Sequence, residues 1–287
     1  VSYIVALVVL SALAVVAGAL LADAFAMPRW FGILLAIAWA PIKLSVINGQ
    51  NETFALVLLA LAILAAKNDR KLLLGLAIGA LLYKPTIGLP FAVLLLLRKE
   101  WRALTVVGLW AFVWYLAGVL ATAGQWSWPV QYVGTLHDFA HADFVENAAR
   151  SVGLPDVLMQ AGMAMPYAVV AGVLLFLASI PRLIRADFVS ALAIVSVLCV
   201  AISPHAWHYA PAISLSVIFY IMRNVAEPAR TWIVAGAYVI GCISLIHLPG
   251  YTTWNPEAIV VLGLTAVVLS PLAGEEATHV PQHQGSS

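Results

Sequence analysis

Lys84 is the residue of this sequence that most needs an explanation. It stands in "LLYKPTIG", with apolar runs on both sides and Pro85 directly after it. An ammonium group at membrane depth costs about 2.5–3.5 kcal/mol on insertion scales, so it needs an anionic partner or water. One reading is a cation that holds a phosphate. The other is a side chain that snorkels to the headgroups. Pro85 removes a backbone donor and breaks the helix there, which suits a cavity lining.

Three further stretches carry polar groups that could act chemically. In "SVINGQNETFAL", residues 45–56, Asn48-Gly49 reads as a turn and Asn51 as the N-cap of the helix that follows. That leaves Gln50, whose amide suits an anion or a sugar hydroxyl at a helix start. In "ISPHAWHYAPA", residues 202–212, Pro204 ends one helix. His205 and His208 share a face if the next turn is helical, with Trp207 and Tyr209 beside them. Histidines there can relay a proton, orient a carboxylate or bind a phosphate; otherwise the cluster only seats a helix end at the interface. In "HDFAHADFVE", residues 137–146, His137, Asp138 and His141 come close to the H-E-x-x-H zinc pattern. The acid is one methylene short and no third ligand is evident, so a polar helix face or a substrate contact from Asp138 or Asp143 is the better reading.

The elements that must position these residues are apolar helices. Hydrophobic residues make up 63% of the 287, charged residues 9%, and mean hydropathy is +1.00. Such a chain is a polytopic membrane protein, not a soluble domain. A net charge of +1 argues against a nucleic-acid or acidic partner. Cys199 and Cys242 lie in apolar runs and read as small core hydrophobes. Apolar segments cover 2–25, 31–47, 53–66, 72–83, 86–97, 103–121, 157–180, 188–202, 209–222, 231–247 and 257–271. None alternates with period two, so helices are expected throughout. The fold class is all-α: a transmembrane bundle of about 9–11 membrane segments within one domain, 1–272. Residues 273–287 form a polar tail, read as disordered and cytoplasmic.

The connections alternate in charge. Arg29, Lys67, Arg70, Lys71, Arg98, Lys99, Arg102, Arg182, Arg185, Arg223 and Arg230 fall on one side, which the positive-inside rule makes cytoplasmic. Gln50, Glu52, Lys84, the long stretch 122–156, His205 and His208 fall on the other. The aromatic stretch 122–156 is expected to lie on the membrane surface as short amphipathic helices. Segments 72–83 and 86–97 are too short to span: twelve helical residues rise roughly 18 Å, against about 30 Å of hydrocarbon. Two short helices meeting at Lys84 predict an outward-facing cavity.

The run "GQNETFALVLLALAILAAKNDRKLLLGLAIGALLYKPTIGLPFAVLLLLRKEWRAL" resembles the core of glycosyltransferase family 87. The shared pattern is a Gly-Gln-x-Asn turn (Gly49, Gln50, Asn51), a basic loop, a helix with Gly75 and Gly79, then Lys84-Pro85 and Arg98 to Arg102. "SPHAWHY" resembles the family's later Ser-Pro-His motif. No single piece is specific; order and spacing over about residues 30–225 carry the resemblance.

The resemblance implies a GT-C membrane fold with its active site at the outer face of the cell membrane and a cytoplasmic C-terminus. It implies an inverting hexosyl transfer, typically of mannose, from a polyprenyl-phosphate sugar to a glycan or glycolipid acceptor. No cofactor and no metal are implied. It points to Lys84 and to His205 or His208 for the donor phosphate, and to Gln50, Asn51, Tyr209 and Asp138 for substrate contacts. The family's catalytic Asp precedes the Gly-Gln turn in an outer loop. Asp23 falls on the cytoplasmic side here, so the role does not transfer to it. The base is expected upstream of this chain, with Asp138, Asp143 and Glu52 as substitutes. A transporter or lipid flippase is the rival reading, since broken helices and intramembrane charge occur there too.

Overall fold

A computed structural model describes residues 2–135, 151–243 and 256–270. The named elements are α1 (Ser2–Phe25), α2 (Arg29–Ala38), α3 (Ala40–Ile47), α4 (Glu52–Lys67), α5 (Lys71–Leu81), α6 (Pro85–Leu97), α7 (Trp101–Ala121), α8 (Leu154–Gln160), α9 (Met165–Arg185), α10 (Phe188–Ile202), a 3-10 turn (Ala210–Ser214), α11 (Leu215–Asn224), α12 (Ala229–Ile243) and α13 (Pro256–Leu269). Residues 128–135 are also helical. No strand occurs among the described residues, so the all-α bundle expected from the sequence is what the chain forms.

Two kinds of helix build it. By length and composition α1, α7 and α9 can each cross a membrane, and the bent pair α2–α3 makes a fourth candidate. Only 22%, 17% and 22% of the apolar windows of α1, α7 and α9 are buried in the protein. Their other faces (Val5, Val8 and Val9; Leu109, Phe112 and Val113; Val170, Val173 and Leu174) are left for lipid. α10 is the opposite case. Every residue from Val189 to Ala201 is buried, as expected of a helix that is apolar all round. It packs on α4, α6, α9, α11 and α13. Its serines are satisfied internally: Ser196 Oγ lies 2.6 Å from Ser216 Oγ and 2.6 Å from the Ala193 carbonyl. Cys199 belongs to this core, but Cys242 is exposed on α12, contrary to its reading as a core residue.

Several expected spans are divided or shifted. Segment 31–47 bends by 63° at Trp39. Pro41 has no N–H to give to a preceding carbonyl, so α3 must start afresh, with Pro41 in its first turn. The break frees Trp39, fully buried, to donate from Nε1 to the Pro211 carbonyl (3.1 Å). Segment 157–180 is divided between α8 and α9, because Gly162 has φ +92 and Pro166 opens the next helix. Segment 209–222 begins as the 3-10 turn before it becomes α11. The tail beyond 270 lies outside the described residues.

Several of the short connections share one device, the Schellman ending. After α3, the Gln50 N–H bonds the Ser45 carbonyl (2.8 Å) and the Gly49 N–H bonds that of Val46 (3.0 Å), with Gly49 at φ +64. The same pair of bonds closes α4 at Asp69 and α6 at Lys99, which hold φ values of +54 and +57 without being glycine. Each ending turns the chain within three residues, so charged connections collect at two ends of the bundle. Where α1 crosses α2 the backbones touch: a Cβ on Gly18 would lie 2.5 Å from the Gly32 carbonyl oxygen.

Candidate functional site

The two ends are distinguished by their contacts. At one, Arg29 pairs with Asp23 (2.8 Å), Lys67 Nζ donates to the Asp23 carbonyl, and Lys71 pairs with Glu100 (2.9 Å). Arg98 donates to the Ala186 carbonyl, and Arg182 donates to the Tyr220 hydroxyl (2.8 Å). Asp23 therefore shares an end with the basic connections, as the alternation of charge required. At the other end, Tyr3 donates to the Ile47 carbonyl (2.9 Å), close to the Asn48–Asn51 turn. We call these the basic end and the amide end.

At the amide end the structure joins two residues that the sequence placed 32 positions apart. Lys84 forms an ion pair with Glu52. The Glu52 side chain is 3% exposed and that of Lys84 27%. Glu52 opens α4, where a carboxylate also favours the helix dipole. Its second oxygen accepts from Ser45 Oγ (3.4 Å), a buried hydroxyl that also reaches the Gln50 carbonyl (3.2 Å). Tyr83 donates to the Asn51 carbonyl (3.2 Å) and its ring lies 5.7 Å from that of Phe54. The Lys84 connection is thus tied to the Gly-Gln turn from both flanks.

This changes what the sequence said about each residue. The partner that Lys84 needs is supplied by the chain itself. An ammonium has three donors, however, and on a side chain about one-quarter exposed it has others to give a ligand. Glu52, with both oxygens engaged and almost no surface, is an ion-pair partner and not a free base. Asn48 donates to the Leu44 carbonyl (2.7 Å), completing the end of α3. Asn51 stands at the N-cap position of α4, but its side chain makes no capping bond, so the capping role expected of it is not filled. At φ −95 and ψ 16, Asn51 is outside the extended region in which cap side chains usually reach back. The side chains of Gln50 and Asn51 make no hydrogen bond with any described residue, which leaves both amides for a ligand.

The histidine stretch reaches the same end by another route. Cys199 donates to the Ile87 carbonyl (3.5 Å), fixing the last turn of α10 beside the first turn of α6. Residues 203–209, which follow α10, are not helical, so the shared helical face expected for His205 and His208 does not exist. Trp207 instead pairs as a short antiparallel bridge with Ser151, and Val152 N–H bonds the Ala206 carbonyl (2.7 Å). Gly153 permits this approach, since a Cβ there would stand 2.1 Å from the Ser203 carbonyl oxygen. The His205 ring lies 6.0 Å from that of Trp207, and the His208 ring 5.2 Å from that of Tyr209. All four are half-buried. His137, Asp138, His141 and Asp143 lie outside the described residues. No group of three metal-ligating side chains occurs among the described residues.

Residues 1–204 match the family model described as Glycosyltransferase family 87. The chain belongs to glycosyltransferase family 87. It is a membrane glycosyltransferase, and so acts on a sugar donor and an acceptor. No curated protein and no solved structure matches it. The matched region of this family 87 chain contains Gln50, Asn51, Glu52, Lys84 and Asp138; His205, His208 and Tyr209 follow directly after it. Ser45 and Tyr83 are the site residues that sequence reasoning missed. Tyr83 adjoins Lys84, and the opposite charges of Glu52 and Lys84 on one predicted face were the signal that could have revealed their pairing.

Proposed function

We propose that this enzyme transfers a hexose, mannose in the first instance, from a polyprenyl-phosphate sugar to a glycan or glycolipid acceptor at the outer face of the cell membrane. The observation that carries the reading is the amide end itself. A lysine ammonium anchored on one side by Glu52 stands beside the unengaged amides of Gln50 and Asn51. The lysine suits the donor phosphate, whose negative charge grows as the glycosidic bond breaks. The amides suit sugar hydroxyls, and exposed apolar helix faces suit the isoprenoid chain. His205, His208 and Tyr209 are proposed to support the phosphate, and Asp138 to contact the substrate. The acceptor oxygen attacks the anomeric carbon with inversion, its proton passes to a carboxylate, and polyprenyl phosphate leaves. The family match over residues 1–204 favours transfer over transport, since a flippase of a lipid-linked sugar would meet the same phosphate and hydroxyls.

The test is transfer from radiolabelled polyprenyl-phosphate mannose by the purified chain in vesicles. Lys84→Ala alone is a poor probe, because it leaves Glu52 buried without its partner. The double variant Glu52→Gln/Lys84→Gln keeps a neutral hydrogen-bonding pair. We expect it to fold as the wild type does and to lose transfer by a factor of about 100 or more, the scale of removing one charge-stabilising donor. Transfer at the wild-type rate would remove Lys84 from the donor site.

A further inference from the structure

A cavity of about 440 Å³ opens at the basic end, away from the site described above. It is lined by Asp69, Arg70, Lys71, Leu72, Leu73 and Arg102. It lies where α5 and α7 begin side by side. Gly75 allows that closeness, since a Cβ on it would stand 2.6 Å from the Ala103 carbonyl oxygen.

The three cations of the lining differ in their company. Lys71 is committed to Asp69 and Glu100, each at 2.9 Å. Arg70 and Arg102 are exposed and have no hydrogen bond or ion pair with any described residue. With three cations against the two carboxylates of Asp69 and Glu100, the mouth is left with a positive charge on two unengaged guanidinium groups. The flank is apolar: Leu72 is 66% exposed, Leu73 36%, and Trp101 nearby 59%. A cationic mouth beside exposed leucines and a tryptophan fits a molecule that carries a phosphate and a hydrocarbon chain together.

We propose that this cavity binds the phosphate headgroup of an anionic phospholipid from the leaflet at the basic end. Arg70 and Arg102 offer planar forks that match phosphate oxygens two at a time. Leu72 and Leu73 lie against the first methylenes of the acyl chains, and Trp101 sits at headgroup level. Basic pockets between membrane helices take anionic headgroups in this manner. The free phosphate ion shares the headgroup's charge but has no use for the leucines.

Native mass spectrometry of the purified full chain tests the assignment, with dioleoyl phosphatidylglycerol and dioleoyl phosphatidylcholine as probes. The wild type is expected to retain phosphatidylglycerol over phosphatidylcholine. Arg70→Gln/Arg102→Gln is expected to lower that retention about tenfold. Arg185→Gln, an exposed cation elsewhere, should leave it unchanged. Arg70→Lys/Arg102→Lys, which keeps the charge and loses the fork, should fall between and guards against a folding defect in the glutamine variant. Equal retention by the wild type and the double glutamine variant would overturn the proposal, as would an equal loss in Arg185→Gln. Displacement of the lipid by inorganic phosphate at equal concentration would make this a free-anion site and overturn the lipid assignment.

Discussion

The amide end and the basic end both hold ion pairs, and they use them in opposite ways. Glu52 is almost wholly buried, and Lys84 is drawn in to meet it. At the basic end the carboxylates of the named pairs keep more surface: Asp23 and Arg29 are 29% and 72% exposed, Glu227 and Arg230 49% and 30%, and Glu100 and Lys71, the most enclosed of the three, 22% and 25%. A buried carboxylate has given up its water and depends on its partner. An exposed pair exchanges protein contacts for water at nearly equal free energy. The first arrangement fixes a position; the second decorates a surface. That difference marks the amide end as the place where geometry is being enforced, and it lies where two amides are left unengaged.

The sharpest way to break the comparison is to remove one partner at each end. Lys84→Ala is expected to destabilise the protein by about 3–5 kcal/mol, read as thermal unfolding in detergent. The double variant Glu52→Gln/Lys84→Gln should recover most of that loss. If Lys84→Ala unfolds no earlier than the wild type, the buried Glu52 does not depend on Lys84 for its place in the fold. A smaller effect is expected from Ser45→Ala, which takes a hydroxyl from Glu52 and from the Gln50 carbonyl: about 1–2 kcal/mol in the same assay. At the basic end, Arg29→Gln should barely move the unfolding temperature, and that small effect should shrink further as salt rises.

The least effect is expected from pH at Glu227, in the connection between α11 and α12. Hydrogen bonds from Thr231, followed by those from Arg230, hold its carboxyl below the usual carboxylate range. A lowered folded pKa means that the stabilisation is present above the unfolded value and disappears as pH falls through the folded one. Because the group is solvent-exposed, the loss should be barely visible in unfolding. A carboxyl titration followed by NMR should nevertheless show Thr231→Val moving the Glu227 midpoint upward. No movement would mean that the hydroxyl does not matter.

Much of this was legible in the chain. Apolar runs with no alternation allow only helices in a membrane, and the charge of each connection sorted Asp23, Arg29 and Lys67 from Gln50, Glu52 and Lys84. Both follow from local chemistry that every residue carries with it. Helix interruptions were less legible. Trp39 and Gly162 sit inside runs that are apolar but for Lys43, Gln160 and two serines, and the stereochemistry of Pro41, Gly162 and Pro166 divides them. The family pattern was readable because it is a matter of residue order. The pairing of Glu52 with Lys84 was only hinted at, by opposite charges on one predicted face.

By itself, then, the sequence determined the class of the protein, the sidedness of its polar groups and the residues worth testing. These are properties of composition and order. Only the tertiary structure decided that Lys84 is held by Glu52, that Asn51 does not cap its helix, and that His205 and His208 do not share a helical face. Those outcomes depend on how α4 meets the connection between α5 and α6, and on how residues 203–209 meet Ser151. Contacts between segments far apart in the chain are set by packing, which no local pattern encodes.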